Sequence, residues 1–116
     1  MAYDLIGLFS RVSKKMEMTP YSQLHALSQN LGVGRHTVEK AVKAATGKSF
    51  REYRACLLLE HARLQLEHHP NLSIKEIAFN IGFHSHRSFC RFIKATVGRS
   101  PTELRELDDI EKEAVA

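Results

Sequence analysis

Apolar residues recur every three or four positions along most of this chain, which is the spacing of helices that each bury one face. In an N-terminal helix predicted over about 4–17, the apolar positions are Leu5, Leu8, Phe9, Val12 and Met16. No segment shows the alternation of apolar and polar residues that is typical of a half-buried strand. The pattern therefore predicts an all-α fold of about seven helices.

Glycine and proline positions divide this pattern into separate helices. A short helix whose buried side includes Leu24, Leu27, Ser28 and Leu31 ends at Gly32, because glycine readily adopts the left-handed conformation that terminates helices. A second helix is predicted from about Arg35 to Thr46. A long helix then runs from Phe50 to His68 and is stopped by the following His69-Pro70, since proline cannot continue a helix.

The same order of helices returns in the second half of the chain. Ser73 caps a short helix with Glu76 three residues on, which is a capping-box pattern, and Gly82 ends that helix. The next helix is predicted from about His86 to Val97. A last short helix is expected to begin at Pro101, because proline is favoured at the first helical position.

The two helix pairs are copies of one module. "LSQNLG" at 27–32 matches "IAFNIG" at 77–82, and "KAATGKSFREYR" at 43–54 matches "KATVGRSPTELR" at 94–105. The offset is 50 residues before the glycine and 51 after it. The second copy therefore has one extra residue in its turn.

This repeat sets the expected division of the chain. The expected parts are a first helix-turn-helix subdomain, a linker helix, a second helix-turn-helix subdomain and an acidic tail, over 1–49, 50–69, 70–107 and 108–116. Six of the thirteen acids lie between Glu103 and Glu113, so the rest of the chain is clearly basic although the net charge is only +4. Such a balance favours a polyanionic partner, for example nucleic acid.

The second helix of each copy has a basic side at the same place relative to its turn. At about 100° per residue, a set of mostly basic side chains in each copy shares an arc of roughly 140°. These side chains are Arg35, His36, Glu39, Lys40 and Lys43 in the first copy, and His86, Arg87, Cys90, Arg91 and Lys94 in the second. Two such helices, each directly after a short helix and a glycine turn, indicate helix-turn-helix pairs whose second helix fits a major groove about 12 Å wide.

Two long stretches resemble the helix-turn-helix signatures of the AraC/XylS family of bacterial transcription regulators. They are "LSQNLGVGRHTVEKAVKAATGKSFREYR" and "IAFNIGFHSHRSFCRFIKATVGRSPTELR". In that family, two helix-turn-helix subdomains joined by a long helix read adjacent major-groove segments. The resemblance implies a sequence-specific regulator that binds double-stranded DNA as a monomer in the cytoplasm, at the bacterial nucleoid, with RNA polymerase as a further partner. The chain departs from the family pattern at Gly34, where a capping serine is usual.

Carried over position by position, the resemblance implies two groups of contacts with DNA. The base-facing candidates are His36, Glu39, Lys40, His86, Arg87, Cys90 and Arg91. The candidates for the DNA backbone, which would position the protein without reading sequence, are Arg35, Thr37, Lys43, Ser88 and Lys94. On chemical grounds, Arg87 or Arg91 against a guanine edge is the most favourable specific contact.

Catalytic, metal-binding and membrane functions fit the sequence poorly. His61, His68 and His69 lie near one another, but no cysteine or carboxylate completes a tetrahedral metal site with them by spacing. Cys90 is expected to have no paired histidine. No apolar run approaches the roughly 18 to 20 residues of a membrane span, and two separated cysteines suit a reducing cytoplasm. We therefore expect no enzyme activity, no metal, no cofactor and no membrane partner.

The main alternative is a helical protein–protein interaction module that does not bind DNA. Its contact surface would be the acidic segment between Glu103 and Glu113, or an apolar side of the long helix formed by Leu57, Leu58, Leu59, Leu64 and Leu66. Packing of these leucines within the domain is the simpler interpretation. A length of 116 residues fits both a small stand-alone regulator and the DNA-binding domain of a larger one.

Overall fold

The structure, a computed structural model, describes residues 4–106. Six helices are α1 (Leu5–Met18), α2 (Leu24–Leu31), α3 (Arg35–Thr46), α4 (Phe50–His68), α5 (Ile74–Ile81) and α6 (His86–Val97). Residues 101–106 are also helical and are called α7. Within the described range there is no strand, so the predicted all-α fold of about seven helices is confirmed. The predicted acidic tail over 108–116 lies outside the described residues.

The chain forms two compact units, Met1–Leu58 and Leu59–Ala116, here called unit 1 and unit 2. The division falls inside α4, the helix expected to be a linker. Phe50 and Tyr53, in the first half of α4, belong to the core of unit 1. The first half of the long helix is therefore part of the core of unit 1.

The core of unit 1 is built from one side of each of its first three helices and from the start of α4. Its buried members are Leu8, Val12, Met16, Leu27, Leu31, Val38, Ala41, Val42, Phe50 and Tyr53. α1 packs against α3, and the ring of Phe9 meets that of Tyr53 edge-on with centroids 5.7 Å apart. Because this core uses the apolar side of α3, the opposite side of that helix is left to solvent.

Unit 2 packs its helix pair around aromatic residues. α5 buries Ile77, Ala78 and Ile81, and α6 buries Phe89 and Ile93. Phe83, in the turn between them, meets Phe89 edge-on with ring centroids 5.3 Å apart and lies 5.5 Å from the ring of Phe92. These contacts hold the apolar side of α6 against its own unit.

A glycine with positive φ ends the first helix of each pair. Gly32 follows α2 with φ 71°, and Gly82 follows α5 with φ 115°. A residue with a Cβ loses roughly 1–2 kcal/mol in this left-handed region. The two glycines therefore set the sharp turn that leads into α3 and α6.

A repeated arginine fixes the segment before each short helix. Arg54 donates from Nε to the Ser22 carbonyl at 3.1 Å and from Nη2 to the Tyr21 carbonyl at 2.7 Å. Arg105, its counterpart in the second copy, donates from Nη2 to the Leu72 carbonyl at 2.8 Å. Burial lowers the pKa of the Arg54 guanidinium from its ordinary value. These two arginines, which are matched in the sequence repeat, therefore fix the start of each helix pair through hydrogen bonds to the main chain.

Candidate nucleic-acid interface

α3 exposes one mostly basic side to solvent. Its members, called the α3 face, are Arg35, His36, Glu39, Lys40 and Lys43, and all five are exposed. Val38, Ala41 and Val42 are buried on the opposite side, and Thr37 is half-buried between the two sides. The core of unit 1 thus directs the predicted contact residues outwards.

α6 exposes the equivalent side in unit 2. This α6 face consists of His86, Arg87, Cys90, Arg91 and Lys94, of which Cys90 is half-buried and the others are exposed. Phe89 and Ile93 are fully buried on the opposite side. Ser88, the remaining predicted contact, is exposed in the first turn of the helix.

The two copies differ in how their exposed helices begin. The Ser85 hydroxyl oxygen accepts a hydrogen bond from the Ser88 N–H at 3.1 Å and caps α6. Gly34 occupies the same place before α3 and provides no side-chain cap. The preceding helices differ in the same way, because Ser73 caps α5 through the Glu76 N–H at 3.1 Å whereas Gln23 forms no side-chain cap on α2. Both helices of the pair in unit 1 therefore lack the side-chain caps that the copy in unit 2 has.

Two of the predicted backbone-contact residues already form hydrogen bonds. Ser88 Oγ accepts from the Ser85 hydroxyl at 2.9 Å, which leaves the Ser88 proton able to point outwards to another acceptor. Lys43 Nζ donates to the Gly47 carbonyl at 3.0 Å, at the C-terminal end of α3. This bond is exposed, so water or a phosphate can replace it at little cost.

Cys90 has a histidine partner, contrary to the expectation from sequence. Its Sγ lies 3.5 Å from Nε2 of His86, because residues four apart in a helix lie on the same side. The spacing could have revealed this pair before the structure was known. The other cysteine, Cys56, is exposed on α4 with Lys48 Nζ 3.4 Å from its sulfur.

Metal and membrane functions gain no support from the described residues. Within 4–106, no group of three or more histidine, cysteine, aspartate or glutamate side chains is arranged to hold a metal ion. His61, His68 and His69 thus do not come together as a metal site. None of the helices in the described part is both long and apolar enough to cross a membrane.

The leucines of α4 do not form one exposed apolar side. Leu58 and Leu66 are buried, Leu57 and Leu59 are half-buried, and Leu64 is 46% exposed. A surface for a partner helix would need several neighbouring leucines to be accessible. The alternative of an interaction module therefore loses one of its two candidate surfaces, and most of the other, between Glu103 and Glu113, lies outside the described residues.

The structure also adds a neighbour that periodicity did not identify. A groove beside the α3 face is lined by Glu39 together with Gln23, Leu24, Ser49, Phe50, Arg51 and Arg54. Arg51 is exposed on α4 and supplies a further positive charge close to α3. Arg51 lies beside α3 because the start of α4 packs into unit 1.

Comparison with known proteins agrees with this architecture. Residues 27–107 match a family model described as "Helix-turn-helix domain". The chain is 36% identical over 67 residues to the uncharacterized transcriptional regulatory protein YesN of Bacillus subtilis (strain 168). That match covers 57% of this chain and 18% of YesN, so the matched part spans less than a fifth of that protein.

Two solved structures share the fold over most of the chain. One is the C-terminal domain of AraT, a response regulator from Geobacillus stearothermophilus, with a TM-score of 0.80 and 22% identity over 90% of this chain and 88% of that one. The other is a transcriptional regulator from Chromobacterium violaceum, described among AraC-type DNA-binding domain-containing proteins. Its TM-score is 0.72, with 24% identity over 86% of this chain and 90% of that one. From the matched residues and the duplicated helix-turn-helix architecture, the chain belongs to the AraC-type helix-turn-helix domain family.

Proposed function

We propose that this chain is the sequence-specific, double-stranded DNA-binding part of a bacterial transcription regulator, with α3 and α6 as its two reading helices. The observation that carries the proposal is the duplicated exposed side, the α3 face and the α6 face. Each lies on the second helix of a helix-turn-helix, and each has behind it an apolar side that is buried. A helix held in this way can enter a major groove while the core of its unit stays intact.

The proposed contacts fall into two groups. Base edges would be read by His36, Glu39, Lys40, His86, Arg87, Cys90 and Arg91. Phosphates would be bound by Arg35, Thr37, Lys43, Ser88 and Lys94. Exposure of the charged members supports both roles, and the planar guanidinium groups of Arg87 and Arg91 suit the O6 and N7 atoms of guanine.

One chain with two reading helices would bind as a monomer. Each helix would occupy one of two successive major-groove segments, so we expect a footprint of about 16 to 20 base pairs. The α3 and α6 faces differ in sequence, and the site should therefore not be palindromic. RNA polymerase is the further partner proposed for the regulator, and the nucleoid in the cytoplasm is its proposed location, both by analogy with the family.

The function is tested by selecting binding sites from random duplex DNA and then comparing two matched variants of α6. Arg87→Ala should cost about 1–3 kcal/mol on the selected site and relax the base preference at one or two positions. Lys94→Ala removes the same charge from the same helix, but it should weaken all sequences alike and reduce the salt slope by about one. Failure to select any site, or identical effects of the two variants across a panel of sites, would contradict the proposal.

A further inference from the structure

Glu39 carries a negative charge on a surface that is proposed to contact the phosphates of DNA. It is the single acid in α3, and α6 contains none. Its carboxylate is exposed on the α3 face, between Arg35 one turn before it and Lys43 one turn after it. A negative charge there repels the DNA backbone at every sequence, because charges of like sign destabilise each other across a contact.

The neighbouring cations do not neutralise this carboxylate. Arg35 and Lys43 stand four residues away on either side, the spacing at which helical ion pairs form. Lys43 Nζ instead binds the Gly47 carbonyl at 3.0 Å. Within the described part of the chain, the side-chain carboxylate of Glu39 has no hydrogen bond and no ion pair. Arg51 lines the same groove without pairing with it. Glu39 therefore presents free acceptor oxygens to whatever approaches α3.

From this free carboxylate on the exposed face we infer that Glu39 is a specificity-determining residue, which accepts a hydrogen bond from the N4 amino group of a cytosine in the segment read by α3. This inference rests on the proposed function. A carboxylate only accepts hydrogen bonds, and in the major groove cytosine presents an amino donor. Guanine and thymine present acceptor oxygens, O6 and O4, which repel a carboxylate. Adenine presents a donor beside the N7 acceptor, a pair that suits an amide better than a carboxylate.

The effect of Glu39 on DNA affinity is then opposite to that of the cations around it. It weakens binding to every sequence through repulsion from phosphates, and it recovers that loss only where its oxygens meet the cytosine amino group. A residue of this kind raises the ratio of specific to non-specific binding by lowering the non-specific part. Lys40, next to it on the same face, strengthens both kinds of binding.

The test uses the selected site, all its single-base variants, and a random duplex, with affinities measured at fixed salt. The unmodified chain should prefer cytosine at one position by about five- to 150-fold. Glu39→Ala should abolish that preference and bind the random duplex more tightly. Glu39→Gln should also bind the random duplex more tightly, but it should change the preference at the same position to adenine, because an amide pairs with N6 and N7. Glu60→Gln, which removes an exposed charge from α4, serves as the control and should leave every base preference unchanged.

Two results would overturn the inference. One is a selected site at which no cytosine preference depends on Glu39, and the other is weaker binding of the random duplex by Glu39→Ala. Either can occur while the unmodified chain still binds its selected site, and the proposed function would then stand. If the unmodified chain binds no duplex at all, the proposed function itself is refuted.

Discussion

The uncapped start of α3 offers a direct test of how much an N-terminal cap stabilises this helix. Gly34 has φ −70° and ψ 153°, an extended conformation open to any L-residue. Beyond the two adjoining residues, the nearest atom to a Cβ built on Gly34 is Thr37 Oγ1, at 3.9 Å, which is an ordinary contact. Gly34→Ser therefore adds a hydroxyl without displacing a neighbour. That hydroxyl can accept from the Thr37 N–H, as Ser85 accepts from Ser88 in the second copy.

Two effects add to the expected stabilisation. Replacing a glycine by a residue that fits its conformation reduces the entropy of the unfolded chain, which contributes about 0.4–1 kcal/mol. Serine is a better N-cap than glycine by a few tenths of a kcal/mol. The free energy of unfolding should therefore rise by about 0.5–1.5 kcal/mol.

A matched substitution two residues earlier should act in the opposite direction. Gly32 has φ 71°, and a Cβ in this left-handed region costs roughly 1–2 kcal/mol. Crowding plays no part, because beyond the two adjoining residues no atom of the described chain lies within 4 Å of a Cβ built there. Gly32→Ala should therefore lower the free energy of unfolding even after the entropy gain of the unfolded chain is counted.

Urea unfolding followed by far-ultraviolet circular dichroism measures both changes, with the m-value as the check that the same surface is exposed. Ser85→Ala is the control for the capped copy and should cost about 0.5–2 kcal/mol. A Gly34→Ser protein that is no more stable than the original, at an unchanged m-value, would refute the reasoning. So would a Gly32→Ala protein of unchanged stability.

Two further predictions concern the arginine that holds α5 and the thiol on α6. In urea titrations, Arg105→Ala should lower the free energy of unfolding by about 1–3 kcal/mol, because it removes the hydrogen bond to the Leu72 carbonyl. The control Arg99→Ala, which changes an exposed loop residue, should have little effect. Equal losses of stability in the two variants would contradict the role of Arg105. Labelling with a neutral maleimide should slow at Cys90 when the selected DNA site is bound and stay unchanged at Cys56. Equal protection of both cysteines, or of neither, would argue against the α6 face as a DNA contact.

The helix boundaries could be predicted from sequence because local signals mark them. Gly32 and Gly82 end the short helices with positive φ, and Ser73 caps α5 as its spacing to Glu76 indicated. Each signal involves residues within one turn of each other, so a single sequence contains all the information needed. The same holds for the exposed sides of α3 and α6, since helical periodicity alone separates a basic side from an apolar one.

Contacts between different elements could not be predicted in this way. Nothing in the sequence of α4 alone shows that Phe50 and Tyr53 enter the core of unit 1, or that Arg51 borders the α3 face. The sequence repeat pairs Arg54 with Arg105 but does not show what either one binds. Their partners are main-chain carbonyl groups more than thirty residues away, at separations of 32 and 33 residues for the bonds to Ser22 and Leu72, and backbone groups carry no signature in the sequence.

Because these two arginines bind main-chain carbonyl groups, the sequence of the segment before each short helix can vary. Arg54 holds the carbonyls of Tyr21 and Ser22, and Arg105 holds the carbonyl of Leu72. Every residue type supplies a carbonyl group, so these hydrogen bonds do not depend on which side chains the segment carries. The entry into each helix pair is therefore free to accumulate substitutions without altering where the pair begins. The two copies illustrate this freedom, since aromatic and hydroxyl side chains in one stand where an amide and a leucine stand in the other.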